Sequence, residues 1–254
     1  PATQTITAPD PTQTPPHTTW LGESWEIDLA QTQAMLKGKT LDWLIVDHYS
    51  LDIRWESAMR DFTHNIMVVD DLDDRRHDCD LLLNQNLHDV KNSRYDRLIS
   101  PECVRLLGLK YALLRPEFKE TRKNLRKRDG KIRQILIFFG GSDPSNETTK
   151  VLETLMFLKD SEVSIDVIVG HSNQKKEDVK NLCESMPRVK FYDQVKNLAH
   201  LMLKADLAFG GSGVSTLERM AVGLPAGVIS IAENQRQLAI DAAEAGAICY
   251  LGKS

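Results

Sequence analysis

The chain has 254 residues, 41% hydrophobic and 27% charged, with a formal net charge of −4. That composition suits a globular protein with true cores and argues against a general nucleic-acid binder, which would carry a basic surface. No run approaches the roughly 18 apolar residues of a membrane helix, and the opening PATQTITAPDPTQTPPHTT is polar and Pro/Thr-rich, without the hydrophobic core of a signal peptide. The four cysteines, Cys79, Cys103, Cys183 and Cys249, lie far apart and form no CxxC pair or His/Cys cluster. Reduced thiols in a cytoplasmic protein are expected, with no structural metal and no membrane partner.

Residues 1–19 read as a disordered or loop segment. Apolar residues spaced three and four apart predict a helix over 25–36. LDWLIVDHY (41–49) is a buried strand, followed by a helix near 53–61. Strands follow at NIMVVDD (65–71) and CDLLLNQN (79–86). Short apolar strands alternating with helices predict parallel α/β structure. The stretch PEFKETRKNLRKRDGKIR (116–133) is dense in charge and reads as a solvated helix and a charged linker (117–130), an anion contact being the alternative. The α/β rhythm then restarts. Strands are predicted at 134–138, 164–170, 189–193, 206–211, 225–231 and 247–252, with helices between them. The expected organisation is therefore two Rossmann-like blocks, 20–116 and 131–254.

In parallel α/β sheets ligands sit beyond the carboxyl ends of the strands. In the second block those ends carry Gly140-Gly141-Ser142-Asp143, Gly170-His171, Gly210-Gly211-Ser212-Gly213 and Glu233-Asn234-Gln235. Two glycine turns that each open a helix offer free backbone N–H groups and a positive dipole end, a combination that attracts phosphate. Neither is a Walker A loop or a GxGxxG fingerprint. Glu218 has two readings. Ser215-Thr216-Leu217-Glu218 fits a capping box, and the carboxylate could equally accept ribose hydroxyls. Asn234 and Gln235 could cap the next helix or read a base or sugar. In the first block the strand ends carry Asp47-His48-Tyr49, Asp70-Asp71 and Asn84-Gln85-Asn86; Asp70, Asp71 and Asp73 could bind a metal, while Asp47, His48 and Tyr49 could orient water or a sugar hydroxyl.

Taken together, DWLIVDHYSLD, IMVVDDLDDRRHDCDLLLNQN, GLKYALLRPEF, FFGGSDPSN, GGSGVSTLER and a late ENQ resemble, in that order, the UDP-2,4-diacetamido-2,4,6-trideoxy-β-L-altropyranose hydrolases of pseudaminic acid biosynthesis. The resemblance runs from about Trp20 to Gly252. More distantly, the second block is similar to the N-acetylglucosaminyltransferase that makes lipid II. The resemblance implies an α/β, GT-B-like fold of two Rossmann-like domains with parallel sheets and an interdomain cleft. It implies UDP in the second domain, with Gly140, Gly141, Ser142, Gly211, Ser212 and Gly213 at the diphosphate and Glu218 at the nucleoside. Asp47 and Tyr49 of the first, sugar-side domain, with Asn234 of the second, would face the sugar. The implied reaction is hydrolysis of the anomeric C–O bond with inversion, releasing UDP, with no metal, no cofactor and a monomeric protein. The family also carries a Gly-x-Gly-His loop that lies ahead of the match, and none of His17, His48, His64 or His77 sits in such a loop. The resemblance thus leads to the expectation of a chain shortened at both ends that keeps the UDP pocket, lacks that histidine and is not active as it stands.

Overall fold

The structure is a computed structural model that describes residues 17–87, 94–158 and 162–254. Most of the expected N-terminal loop segment, residues 1–16, lies outside the described residues; His17 leads into a 3-10 turn at Thr18–Leu21. The chain divides into two compact units, Pro1–Ala112 and Leu113–Ser254. Among the described residues no helix is long and apolar enough to cross a membrane.

The first unit holds four parallel strands, β1 (Leu41–Val46), β2 (Thr63–Val69), β3 (Leu81–Asn84) and β4 (Val104–Leu107), hydrogen-bonded in the order of the sequence. Helix α1 (Trp25–Leu36) starts where the Ser24 hydroxyl accepts the Ile27 amide. Helix α2 (Ile53–Met59) starts where Asp52 accepts the Arg54 amide. Side chains of these elements that point inward, among them Val46, Trp55, Met59, Ile66, Val68 and Leu82, form one apolar core.

The second unit is a six-stranded parallel sheet flanked by helices. Its strands are β5 (Gln134–Phe138), β6 (Ser164–Val169), β7 (Val189–Asp193), β8 (Leu207–Gly211), β9 (Ala226–Ser230) and β10 (Cys249–Lys253). They lie in the order β10-β9-β8-β5-β6-β7. The sequence dictates this burial: β5 and β6 are nearly unbroken apolar runs because both faces of the sheet are covered. Ile135 and Ile137 enter one core with Leu152, Val167 and Val179, and Leu136 enters the opposite core with Met202, Ala208 and Val228. The covering helices are α4 (Glu147–Leu155), α5 (Lys176–Ser185), α6 (Leu198–Lys204), α7 (Ser215–Ala221) and α8 (Arg236–Glu244).

The stretch read as a solvated helix and linker does hold a helix, but it is neither solvated nor a linker. Residues 117–130 belong to the second unit. Helix α3 (Pro116–Arg122) buries Phe118 completely in the sheet core. Arg122 donates to the Ala221 carbonyl (2.8 Å) at the end of α7. Arg126 donates to the carbonyls of Leu203, Lys204 and Ala205 at the end of α6, and Arg128 bridges both helix ends through Met202, Ala205, Val222 and Gly223. Carbonyls at a helix C-terminus lack internal donors and carry partial negative charge, so arginines satisfy them on both counts. Asp206 completes the join by accepting the Arg133 and Gln134 amides at the start of β5 (2.9 Å each).

Candidate functional site

Strand order fixes where a site can form. From β5 the chain proceeds outward through β6 and β7, then returns to the other side of β5 with β8, β9 and β10. The reversal opens a crevice at the carboxyl ends of β5 and β8, which pair with Phe138 opposite Gly210. A cleft of about 510 Å³ lies there, a size suited to a small-molecule ligand. Gly140, Gly141, Ser142, Gly211, Gly213 and Glu218 line it. Ser212 is fully buried just behind, its hydroxyl donating to Ser230 (3.0 Å). So six of the seven residues expected around a nucleotide line one cavity, and the seventh supports its wall.

The first turn is shaped by backbone conformations that ordinary residues avoid. Gly140 has φ +89°, and Asp143 and Asn146 also lie in the left-handed region at φ 43° and 58°. A third loop presses on it. A Cβ at Gly170, after β6, would collide with the carbonyl oxygens of Gly140 and Gly141, so only glycine permits this approach. One expectation fails here. The start of α4 is not an open anion site, because the Asp143 carboxylate accepts the amides of both Glu147 and Thr148 (2.9 Å each). The available groups of the first turn are therefore those of the loop at 140–142, not the helix end.

The second turn leads into α7 without a side-chain cap. The capping-box reading of Ser215 and Glu218 is overturned: Ser215 is already helical, and its hydroxyl accepts from Arg219 Nη1 (3.2 Å). Among the described residues Arg219 is the largest fully buried side chain. Its Nη2 donates to the Gly211 carbonyl (2.6 Å) and to Thr216 Oγ1 (2.9 Å), pinning the turn from behind. Burial brings its pKa down to about 10, opposed by the nearby Glu218 charge, so it remains protonated at neutral pH. Glu218 points to the cleft instead of the helix start. Its Oε1 accepts from Arg115 Nη2 (3.1 Å) and Nε (3.3 Å). Burial raises its pKa, and the Arg115 charge opposes that rise.

Gln235 also lines the cleft, packing its amide against Gly213 and accepting from Ser212 Oγ at 3.4 Å. Asn234, in the same 3-10 turn (Glu233–Gln235), is not among the lining residues, and neither side chain caps α8. Arg115, Gln194 and Val195 line the cleft as well but were not singled out from sequence. The signal for the last two was their position just after a strand, β7, where Gln194 adopts φ 61°. Arg115 gave no such signal, since it opens the charged run.

In the first unit, Asp47 is exposed just past β1. The Tyr49 hydroxyl donates to Asp71 Oδ1 (2.7 Å), and its ring lies 5.7 Å from those of both His17 and Trp20. The acidic group at 70–73 has partners that leave little for a metal. Asp70 is buried, pairs with Arg75 (2.7 Å), and accepts from Tyr95 (2.8 Å) and the Asp73 amide (3.0 Å). Asp71 accepts from Tyr49 and from Asn86 (3.2 Å). His77 is also buried here, 2.7 Å from Glu56.

Two parallel-sheet, Rossmann-like units with a cleft at the switch point of the second define a GT-B-like α/β protein. Solved structures agree on the fold. The UDP co-structure of S. aureus MnaA superposes with a TM-score of 0.61 at 16% identity, covering 91% of this chain and 67% of that one. The glycosyltransferase of kitacinnamycin gives 0.63 at 14% identity, covering 96% and 71%. No family model matches the chain. Among curated proteins, it is 30% identical over 204 residues to the uncharacterized protein MJ1062 of Methanocaldococcus jannaschii, covering 77% of this chain and 42% of that protein. It is 33% identical over 147 residues to the spore coat polysaccharide biosynthesis protein SpsG of Bacillus subtilis, covering 57% and 43%. It is 27% identical over 168 residues to the UDP-2,4-diacetamido-2,4,6-trideoxy-β-L-altropyranose hydrolase of Campylobacter jejuni, covering 66% and 58%. The chain thus spans about half the length of the curated relatives it matches.

Proposed function

We propose that the protein processes a nucleotide sugar and that the second unit holds its uridine diphosphate. The observation that carries this reading is the coincidence of two glycine turns with the reversal of strand order between β5 and β8. Gly140, Gly141, Ser142, Gly211, Ser212 and Gly213 would surround the diphosphate, and Glu218 would accept hydroxyls of the nucleoside. Peptide N–H groups that do not move on binding stabilise an anion without reorganisation.

The relative from C. jejuni supports a finer reading for the whole protein. Water attacks the anomeric carbon of a UDP-linked diacetamido-trideoxy sugar as the C–O bond to the diphosphate breaks. The bonding pair leaves with UDP, and the proton lost by the water passes to a base or to solvent. The ring gains oxocarbenium character while negative charge grows on the leaving group. In this reading Asp47, Tyr49 and Asn234 act on the sugar side. The bond from Tyr49 to Asp71 fixes the phenol, and burial raises the Asp71 pKa. Glycosyl transfer to an acceptor is the second reading, favoured by the relative named for polysaccharide biosynthesis.

Calorimetric titration tests the nucleotide site. UDP should bind, and Glu218→Gln should weaken it about tenfold, as expected when a charged hydrogen-bond acceptor is neutralised. Unchanged affinity in that variant would assign Glu218 a purely structural role. Reaction in ¹⁸O-labelled water separates the two chemistries: hydrolysis puts the label in a free sugar, whereas transfer leaves it out.

A further inference from the structure

We propose that Arg115 is the positioning residue for Glu218: it engages one carboxylate oxygen so that the other is presented to the hydroxyls of a ribonucleotide. This rests on the nucleotide reading of the cleft and adds to it the group that makes the site selective for ribose.

Arg115 precedes Pro116, the first residue of α3, and proline holds its predecessor extended (φ −58°, ψ 146°). The guanidinium is then held on three sides. Its carbon lies 5.3 Å from the ring centre of the buried Phe118, and Nη1 lies 3.2 Å from Glu117 Oε1. Nε and Nη2 both converge on Glu218 Oε1. Among the described residues Glu218 Oε2 accepts no hydrogen bond, and both side chains line the cleft. A carboxylate with one oxygen fixed and one open is oriented to accept hydroxyl protons, and the planar fork of arginine fixes that orientation better than an ammonium can.

The charged groups acting on Glu218 are Arg115 and Glu117 from the α3 region and Arg219 from its own helix. Burial raises the Glu218 pKa, Arg115 and Arg219 lower it, and Glu117 raises it. Without Arg115 the carboxyl keeps its proton to higher pH. Binding that needs the carboxylate is present above its pKa and lost as pH falls, so in Arg115→Ala that loss begins at a higher pH than in the wild type.

The test is calorimetric titration of the full chain with UDP and with 2′-deoxyuridine diphosphate between pH 5 and 8. It compares wild type, Arg115→Ala and Arg115→Lys. The wild type should prefer UDP by about tenfold, one charge-assisted hydrogen bond's worth. Arg115→Ala should shift the acid limb of UDP binding to higher pH and bring the two nucleotides near parity. Arg115→Lys should restore the pH profile, because the charge returns, and only part of the preference. Arg115 is half-exposed, so the alanine variant should still unfold cooperatively, with a midpoint lowered only by the loss of its pairing with Glu218. An alanine variant that keeps both the pH profile and the preference overturns the assignment, as does equal weakening of both nucleotides at every pH. A wild-type chain that binds neither nucleotide would sink the nucleotide reading itself.

Discussion

Gly170→Ala is expected to lower the stability of the second unit by about 3 kcal/mol, the upper range for overpacking a close contact, and to abolish measurable UDP binding. The added methyl has no soft neighbour to displace. It meets the backbone of Gly140 and Gly141, which is tied to the end of β5 on one side and to the Asp143 cap of α4 on the other. The Ser172 amide also bonds to the Gly141 carbonyl (3.1 Å), so the two loops are hydrogen-bonded where the methyl would intrude. Relief requires the loops to part, and the amides of 140–142 move with them. Urea unfolding reads the first effect and calorimetry the second. Wild-type stability and affinity in this variant would show that the approach of the loops is not as close as described.

The second large effect is expected at Arg219. Alanine there removes the donors to Gly211, Thr216 and Ser215 and leaves a cavity where the largest fully buried side chain stood. The loss should be about 3–5 kcal/mol, a cavity cost together with lost charged hydrogen bonds, the Gly211 carbonyl keeping only the more distant Thr216 hydroxyl (3.3 Å) as a side-chain donor. Arg219→Met separates the two contributions, because methionine fills most of the volume without a charge or a donor. It should recover about half of the lost stability, since the methionine side chain refills most of the cavity but makes no hydrogen bond. What it cannot restore is the bond to Gly211, so the turn at 211–213 should remain loosened and UDP affinity should stay low. If Arg219→Met matches the wild type in both unfolding midpoint and affinity, Arg219 is a space-filler and not the support of the turn.

Strands β5 and β6 were legible because a parallel strand buried on both faces must be a nearly continuous apolar run, as QILIF and SIDVIV are, whereas β1, expected to be buried, exposes Trp43 and Ile45. Strand β4 was not announced. Its four residues include Arg105, which pairs with Asp96, and Val104 is exposed, so no continuous buried apolar run marks it. The charged run misled for a different reason. Composition cannot distinguish an arginine in water from one whose donors reach helix-end carbonyls far along the chain, as Arg126 and Arg128 do. At the site, the glycine turns could be read because strand ends are where such folds place ligands. Whether Glu218 caps α7 or faces the cleft could not be read from spacing, since Ser-x-x-Glu fits a cap equally well and only the true helix start decides. Its partner Arg115 lies 103 residues away, beyond any local pattern. The free N-terminus expected for α4 failed because Asp143, read as part of the turn, serves as its cap.

The most direct measurement is a crystal structure of the protein with uridine diphosphate bound. The diphosphate should lie within hydrogen-bonding distance of amides in 140–142 and 211–213, with the ribose against Glu218 and Arg115 beside it. Ligand density elsewhere in the molecule, with both turns vacant at saturating nucleotide, would contradict this account.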